Sequence, residues 1–66
     1  MKITINGKEF DIEDCATLED ALNKAAVKPT GIATALNNVV VPAAMRTKTV
    51  LKPGDSVTVI TAFYGG

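Results

Sequence analysis

Ser56-Val57-Thr58-Val59-Ile60-Thr61-Ala62-Phe63, followed by Tyr64-Gly65-Gly66, closes the sequence. Residues 56–63 form the longest strand candidate in the chain. Alternation puts Val57 and Val59 on one face and Thr58 and Ile60 on the other. A strand with apolar side chains on both faces belongs in the middle of a sheet. Earlier strands must therefore lie on both sides of it. The residues after Phe63 carry no such signal. Gly65 and Gly66 have no Cβ, add nothing to a core, and let the backbone pass through a narrow gap. Frayed termini are common in small domains, so two glycines alone carry little weight.

Immediately upstream, Lys52-Pro53-Gly54-Asp55 places Pro and Gly at the middle positions of a type II turn, with apolar Leu51 before it. At the other end of the sequence, Lys2-Ile3-Thr4-Ile5 alternates and Asn6-Gly7 suits a two-residue hairpin. Lys8 to Glu13 alternates again, with Phe10 and Ile12 on one face and Glu9, Asp11 and Glu13 on the other. Thr17 can cap a helix whose first turn holds Glu19 and Asp20, favourable at the positive end of the helix dipole. Leu18, Ala21, Leu22 and Ala25 make one apolar stripe, and Asp20, Asn23 and Lys24 lie off it. Pro29 disfavours helical geometry at Lys28, which predicts a helix of about ten residues ending near Val27. Gly31 precedes a small-residue strand, Ile32 to Leu36. Asn37-Asn38 turns the chain into Val39-Val40-Val41, which Pro42 ends. Residues 43–50 show no clear period and are expected to form a loop or a short helical turn.

The order is strand, strand, helix, strand, short strand, strand. One helix with one apolar stripe can bury it only against the sheet, giving two layers. The class is α+β. The most compact closure makes the first and last strands central parallel neighbours, which is a ubiquitin-like β-grasp arrangement. The expectation is a single domain over residues 1–66, with a mixed sheet of roughly four to five strands on one helix. Residues 64–66 form a flexible, extended C-terminal tail leaving the end of a central strand.

Composition narrows the function. A chain of 66 residues makes one small domain, which buries only about 60% of its unfolded surface. That leaves little material for a water-excluding cleft, and no catalytic side chain is assigned. Residues 1–20 hold two lysines against six acidic side chains, and residues 21–66 hold five basic side chains against Asp55. The two halves are expected to pair with each other. No basic run or interleaved aromatic suggests nucleic-acid binding. There is no histidine and one cysteine, so neither a disulfide nor a metal site is expected, and a reducing cytoplasm fits. No stretch has the apolar length of a signal segment or a membrane span. Cys15, beside Asp14, is expected to be a partly buried small residue rather than a reactive thiolate. Met45 and Val39-Val40-Val41 are expected in the core or on a sheet surface covered by a partner, and Asp55 in its turn.

The terminal carboxylate is the remaining candidate for chemistry. A carboxylate is a poor electrophile because it is anionic and has no leaving group. Conversion by ATP to an acyl-adenylate lets an amine, a thiol or a sulfide-level sulfur displace AMP. Glycine at position 66 minimises hindrance at that carbonyl, and Gly65 lets the tail thread into a partner's active site. Phe63 and Tyr64 should point to opposite faces. Either one exposed beside the tail could anchor a partner enzyme, Tyr64 being favoured.

Several of these residues together resemble the sulfur carrier protein family of thiamine biosynthesis. They are Ile3-Thr4-Ile5-Asn6-Gly7, Thr17-Leu18, Ala35-Leu36-Asn37, Val41-Pro42, Leu51 with Gly54-Asp55, the strand Val57 to Ile60, and Gly65-Gly66. The likeness runs nearly end to end. It departs after Val41-Pro42, where the family often has arginine and then an aromatic residue. Here Ala43 and Met45-Arg46 stand in that stretch. The resemblance implies that a ubiquitin-activating-type adenylyltransferase, using ATP and Mg²⁺, makes a Gly66 acyl-adenylate. A cysteine-derived persulfide then supplies sulfur, and the Gly66 thiocarboxylate goes to thiazole synthase. The carrier itself binds no cofactor. Other readings stay open: the small subunit of molybdopterin synthase, usually a longer chain; a carrier for cysteine synthesis or tRNA thiolation; and a ubiquitin-like modifier joined to lysines. A purely structural module leaves the diglycine unexplained.

Overall fold

The computed structural model describes residues 1–28 and 30–61. Its elements are β1 (Lys2–Ile5), β2 (Lys8–Asp11), α1 (Leu18–Lys24), β3 (Ile32–Leu36), β4 (Val39–Val41), a 3₁₀ turn (Ala43–Met45) and β5 (Ser56–Thr61). The sheet order is β2-β1-β5-β3-β4. β5 is central, as its two-sided pattern requires, with β1 parallel on one side and β3 antiparallel on the other. β2 and β4 complete the edges as antiparallel neighbours of β1 and β3. This is the expected mixed β-grasp sheet. Ala62 and Phe63, assigned to the last strand from sequence, lie outside the described residues.

Two asparagine turns set the register of the hairpins. Asn6 and Gly7 have φ of 52° and 81°, and Asn37 and Asn38 have φ of 49° and 70°. Positive φ at both central positions gives the turn whose twist matches that of the flanking strands. The first turn places Ile3 opposite Phe10, and the second places Leu36 opposite Val39.

Thr17 begins α1 with a reciprocal cap. Its hydroxyl accepts from the Asp20 N–H at 3.3 Å, and the Asp20 carboxylate accepts from the Thr17 N–H at 2.9 Å. The next free donors are met from outside the helix. Leu18 N–H donates to Thr49 O at 2.9 Å, and Glu19 N–H donates to Arg46 O at 3.2 Å. The loop over residues 43–50 therefore supplies carbonyls that close the helix start, where orphan N–H groups need partners. Its own path is held by Arg46, which is buried. The guanidinium donates to Thr34 Oγ1 at 3.2 Å and to Ile32 O at 3.0 Å, and the Thr34 hydroxyl donates to Val41 O at 2.8 Å.

α1 is shorter than its sequence suggested, and Pro29 is not what stops it. Helical geometry ends at Lys24. Val27 N–H donates to Leu22 O at 2.9 Å and Ala26 N–H donates to Asn23 O at 3.1 Å. That pair of bonds is a Schellman cap, and it puts Ala26 in the left-handed region at φ 58°. Alanine rarely fills that position because its Cβ is crowded there. No residue pattern before Pro29 therefore marks the stop.

The core lies between α1 and one sheet face. Ile3, Ile5, Leu18, Ala21, Val41, Leu51 and Val57 form its buried cluster, with Phe10, Ile12, Ala25, Leu36 and Val59 packed on its margin. The expected helix stripe of Leu18, Ala21, Leu22 and Ala25 thus faces inward. Three expectations fail. Met45 is exposed rather than core, because Arg46 is the residue of that turn directed inward. Cys15 is exposed in a turn at φ 65°, since the chain reverses there between β2 and the helix cap. The expected pairing of the acidic half with the basic half is not seen in the ion pairs of the described residues. Among the described residues, the ion pairs join the Met1 amino group to Asp11 and Asp14, each at 3.5 Å.

Candidate functional site

β5 is the strand that leads to the diglycine, and its far end is the candidate site. Its two sides end differently. On the β3 side, pairing continues to Ile32 opposite Thr61. On the β1 side, it stops at Ile5 opposite Val57, because β1 turns away into the Asn6-Gly7 hairpin. Backbone pairing is continued there by a side chain. Asn6 N–H donates to Val57 O at 2.9 Å, and then its carboxamide takes Val59 from both directions. Oδ1 accepts from Val59 N–H at 2.8 Å, and Nδ2 donates to Val59 O at 3.2 Å.

The start of β5 is held in a similar way from the other hairpin. Asn37 Oδ1 accepts from Ser56 N–H at 2.9 Å, and Asn37 Nδ2 donates to Asp55 Oδ1 at 3.0 Å. Asp55 in turn closes its own loop, accepting from Lys52 N–H at 2.8 Å. Its role is the expected turn role. Gly54, at φ 83°, supplies the left-handed position beside it.

The sheet face turned away from α1 carries an apolar strip next to this exit. Val40 and Ile60 are 74% and 57% exposed. Ala35 sits opposite Val40 and Ala33 opposite Ile60, so the strip crosses β4, β3 and β5. Of the Val39-Val40-Val41 run, only Val41 is buried; Val39 and Val40 are exposed and, by alternation, lie on opposite faces of β4. On the face that carries Val40, β1 and β2 present Lys2, Thr4, Glu9 and Asp11. The face is therefore apolar on one half and polar on the other.

Of the sequence-predicted site residues, Phe63, Tyr64, Gly65 and Gly66 all lie outside the described residues. What the structure adds is the frame that leads to them. Two features were missed in the sequence: the grip of Asn6 and Asn37 on β5, and the buried Arg46. The asparagines were legible as turn formers, and nothing in their spacing announced a second use. Elsewhere, Asp11 to Ala16 and Asp20, Asn23 and Lys24 line an acidic concavity at the β2–α1 junction. Among the described residues, no group of three or more His, Cys, Asp or Glu side chains could hold a metal ion. Nor is any described helix long and apolar enough to cross a membrane.

Residues 3–66 match the family model described as the ThiS family. The chain belongs to the ThiS family. A crystal structure of the thiamine biosynthesis protein ThiS from Geobacter metallireducens is similar over 100% of this chain and 99% of its own, with 26% identity and a TM-score of 0.81. A solution structure of a thiamine biosynthesis protein from the same organism covers 100% of this chain and 88% of its own, at 25% identity and a TM-score of 0.74. No curated protein matches the sequence significantly. Family and fold agree with the sequence reading: this is a ThiS-type sulfur carrier built on a ubiquitin-like β-grasp. The 43–50 stretch is a helix-capping loop anchored by Arg46.

Proposed function

We propose that the chain carries sulfur for thiazole formation in thiamine biosynthesis as a thiocarboxylate on Gly66. The observation that carries this reading is the ThiS-family match through residue 66, on a frame whose central strand leads to the diglycine. A small domain with no assigned catalytic side chain leaves the chemistry to partners. A ubiquitin-activating-type adenylyltransferase takes up the tail, with Gly65 and Gly66 threading to its ATP and Mg²⁺. The Gly66 carboxylate attacks the α-phosphate, pyrophosphate leaves, and an acyl-adenylate results. The outer sulfur of a cysteine-derived persulfide then displaces AMP. Attack by a second thiol on the resulting acyl disulfide releases the thiocarboxylate. Thiazole synthase accepts it, and the carrier returns with its carboxylate restored. No cofactor stays bound to the carrier.

The apolar strip of Val40 and Ile60 is the surface a partner covers while the tail is engaged, and Phe63 and Tyr64 extend that contact. Both enzymes are expected in the cytoplasm with their carrier. Incubation with adenylyltransferase, ATP and a persulfide donor tests the reading by intact mass. A shift of one sulfur-for-oxygen exchange, absent from a chain lacking Gly66, is expected. A Gly66-deleted chain that is still activated overturns it. An isopeptide-linked ladder on lysines moves the protein to the modifier class, and transfer to molybdopterin synthase rather than thiazole synthase moves it to the other pathway.

A further inference from the structure

Asn6 and Gly7 occupy the two central positions of the first hairpin, at φ of 52° and 81°. An asparagine followed by glycine carries its own chemistry. The Gly7 nitrogen can attack Cγ of Asn6, because the imide that results is a five-membered ring and Gly7 has no Cβ to hinder the approach. The other asparagines are followed by residues with side chains: Asn23 by Lys24, Asn37 by Asn38 and Asn38 by Val39. In the folded chain a contact with β5 opposes the attack. Asn6 Oδ1 accepts from Val59 N–H at 2.8 Å, and Nδ2 donates to Val59 O at 3.2 Å. Both bonds depend on one planar carboxamide. Attack makes Cγ tetrahedral and expels Nδ2, so the two bonds cannot both survive the reaction path. Asn6 is exposed, so water and base reach it, and the contact rather than burial restrains it.

We infer that Asn6-Gly7 is a site of spontaneous deamidation, gated by the grip of the Asn6 carboxamide on Val59. The step needs no redox partner. A solvent base removes the Gly7 amide proton, the nitrogen bonds to Cγ, and the Cγ–Nδ2 bond breaks as ammonia leaves with a proton returned from solvent. Water then opens the imide. Cleavage of its Cγ–N bond gives aspartate, and cleavage between the Asn6 carbonyl carbon and Gly7 N gives isoaspartate. Either product removes the contact that delayed it. A carboxylate has no N–H for Val59 O and sets an anionic oxygen against that carbonyl. Isoaspartate also adds a methylene to the backbone, in a turn whose two residues set Ile5 opposite Lys8. Ile5 also lies opposite Val57, so the change falls at the seam between β1 and β5. The reaction is one-way, and it records the time a chain spends with that seam open. Sulfur transfer plays no part in it.

Three samples incubated side by side at mildly alkaline pH test this: the folded chain, the same chain in denaturing urea, and a peptide spanning residues 3–10. Intact mass reads the replacement of NH₂ by OH, and peptide mapping places the change and separates aspartate from isoaspartate. Asn6 should convert in the peptide, and in urea it should convert ahead of Asn23, Asn37 and Asn38. The folded chain should convert at least about tenfold more slowly. At urea concentrations below the unfolding transition, deamidation and hydrogen exchange at the Val59 amide should accelerate together, since both need the same opening. An Asn6→Asp chain reproduces the aspartate product and should exchange the Val59 amide about tenfold faster than the parent. Equal deamidation rates in the folded and urea samples mean that the contact does not gate the reaction, and they overturn the proposal. So does an Asn6 that survives unchanged in urea, a deamidation rate that stays flat while Val59 exchange rises, or an Asn6→Asp chain with parental Val59 exchange.

Discussion

Two residues stand out for filling positions that another residue type usually holds. Ala26 sits at the left-handed end of the helix, φ 58°, with an exposed side chain that gains nothing from packing. Its Cβ costs roughly 1–2 kcal/mol in that conformation. Ala26→Gly should therefore stabilise the protein by about 1 kcal/mol, part of the gain being offset by the entropy of a freer unfolded chain. A thermal melt reads this as a rise of a few degrees, roughly 4–8 °C per kcal/mol for a domain of this size. Arg46 is the opposite case, a long cation taken almost wholly out of solvent and bonded to Thr34 and Ile32. Arg46→Ala leaves a buried hydroxyl and a carbonyl without their donor and should cost about 2–3 kcal/mol in a urea titration. Arg46→Lys should recover part of that, because an ammonium lacks the fork that reaches both acceptors. Neither residue declared itself in the sequence. An alanine among alanines looks helical, and an arginine in an aperiodic loop looks solvated.

At the scale of elements, the legible parts were those whose signal is local. Asn6-Gly7, Asn37-Asn38 and Pro53-Gly54 each name a turn by backbone preference alone. Thr17 with Asp20 named the helix start, and the strip Leu18, Ala21, Leu22, Ala25 named its buried face. The central place of β5 also followed from local pattern, because apolar groups on both faces need cover on both. The aperiodic 43–50 loop was different. Its function in the fold is to accept, through its carbonyls, from the Leu18 and Glu19 N–H groups, more than twenty residues away in sequence, and no local pattern encodes a bond of that reach. For the same reason, the fall of Met45 outward and Arg46 inward could not be foreseen. The candidate site was legible as composition, a bare diglycine after a strand. Its support was not, since Asn6 and Val59 meet only once β1 and β5 are side by side.

For the whole molecule, the sheet order β2-β1-β5-β3-β4 has a consequence in time rather than space. β5 follows the other four described strands in the chain, and it is the one that joins the two hairpins. Before it arrives, β1 has only β2 and β3 has only β4, and isolated two-stranded hairpins are marginal in water. Folding must therefore wait for residues 56–61, and the long separation between β1 and β5 makes that closure the slow contact. A chain ending at Asp55 should show no cooperative unfolding transition and no native circular dichroism, while the full chain shows both. A native-like spectrum from the shortened chain would contradict this. Folding thus acts as a check on synthesis: any molecule that has acquired its native surface has already made the strand that leads to the tail. A prematurely terminated chain lacks that surface, so it makes a poor decoy for the enzymes that serve the complete carrier.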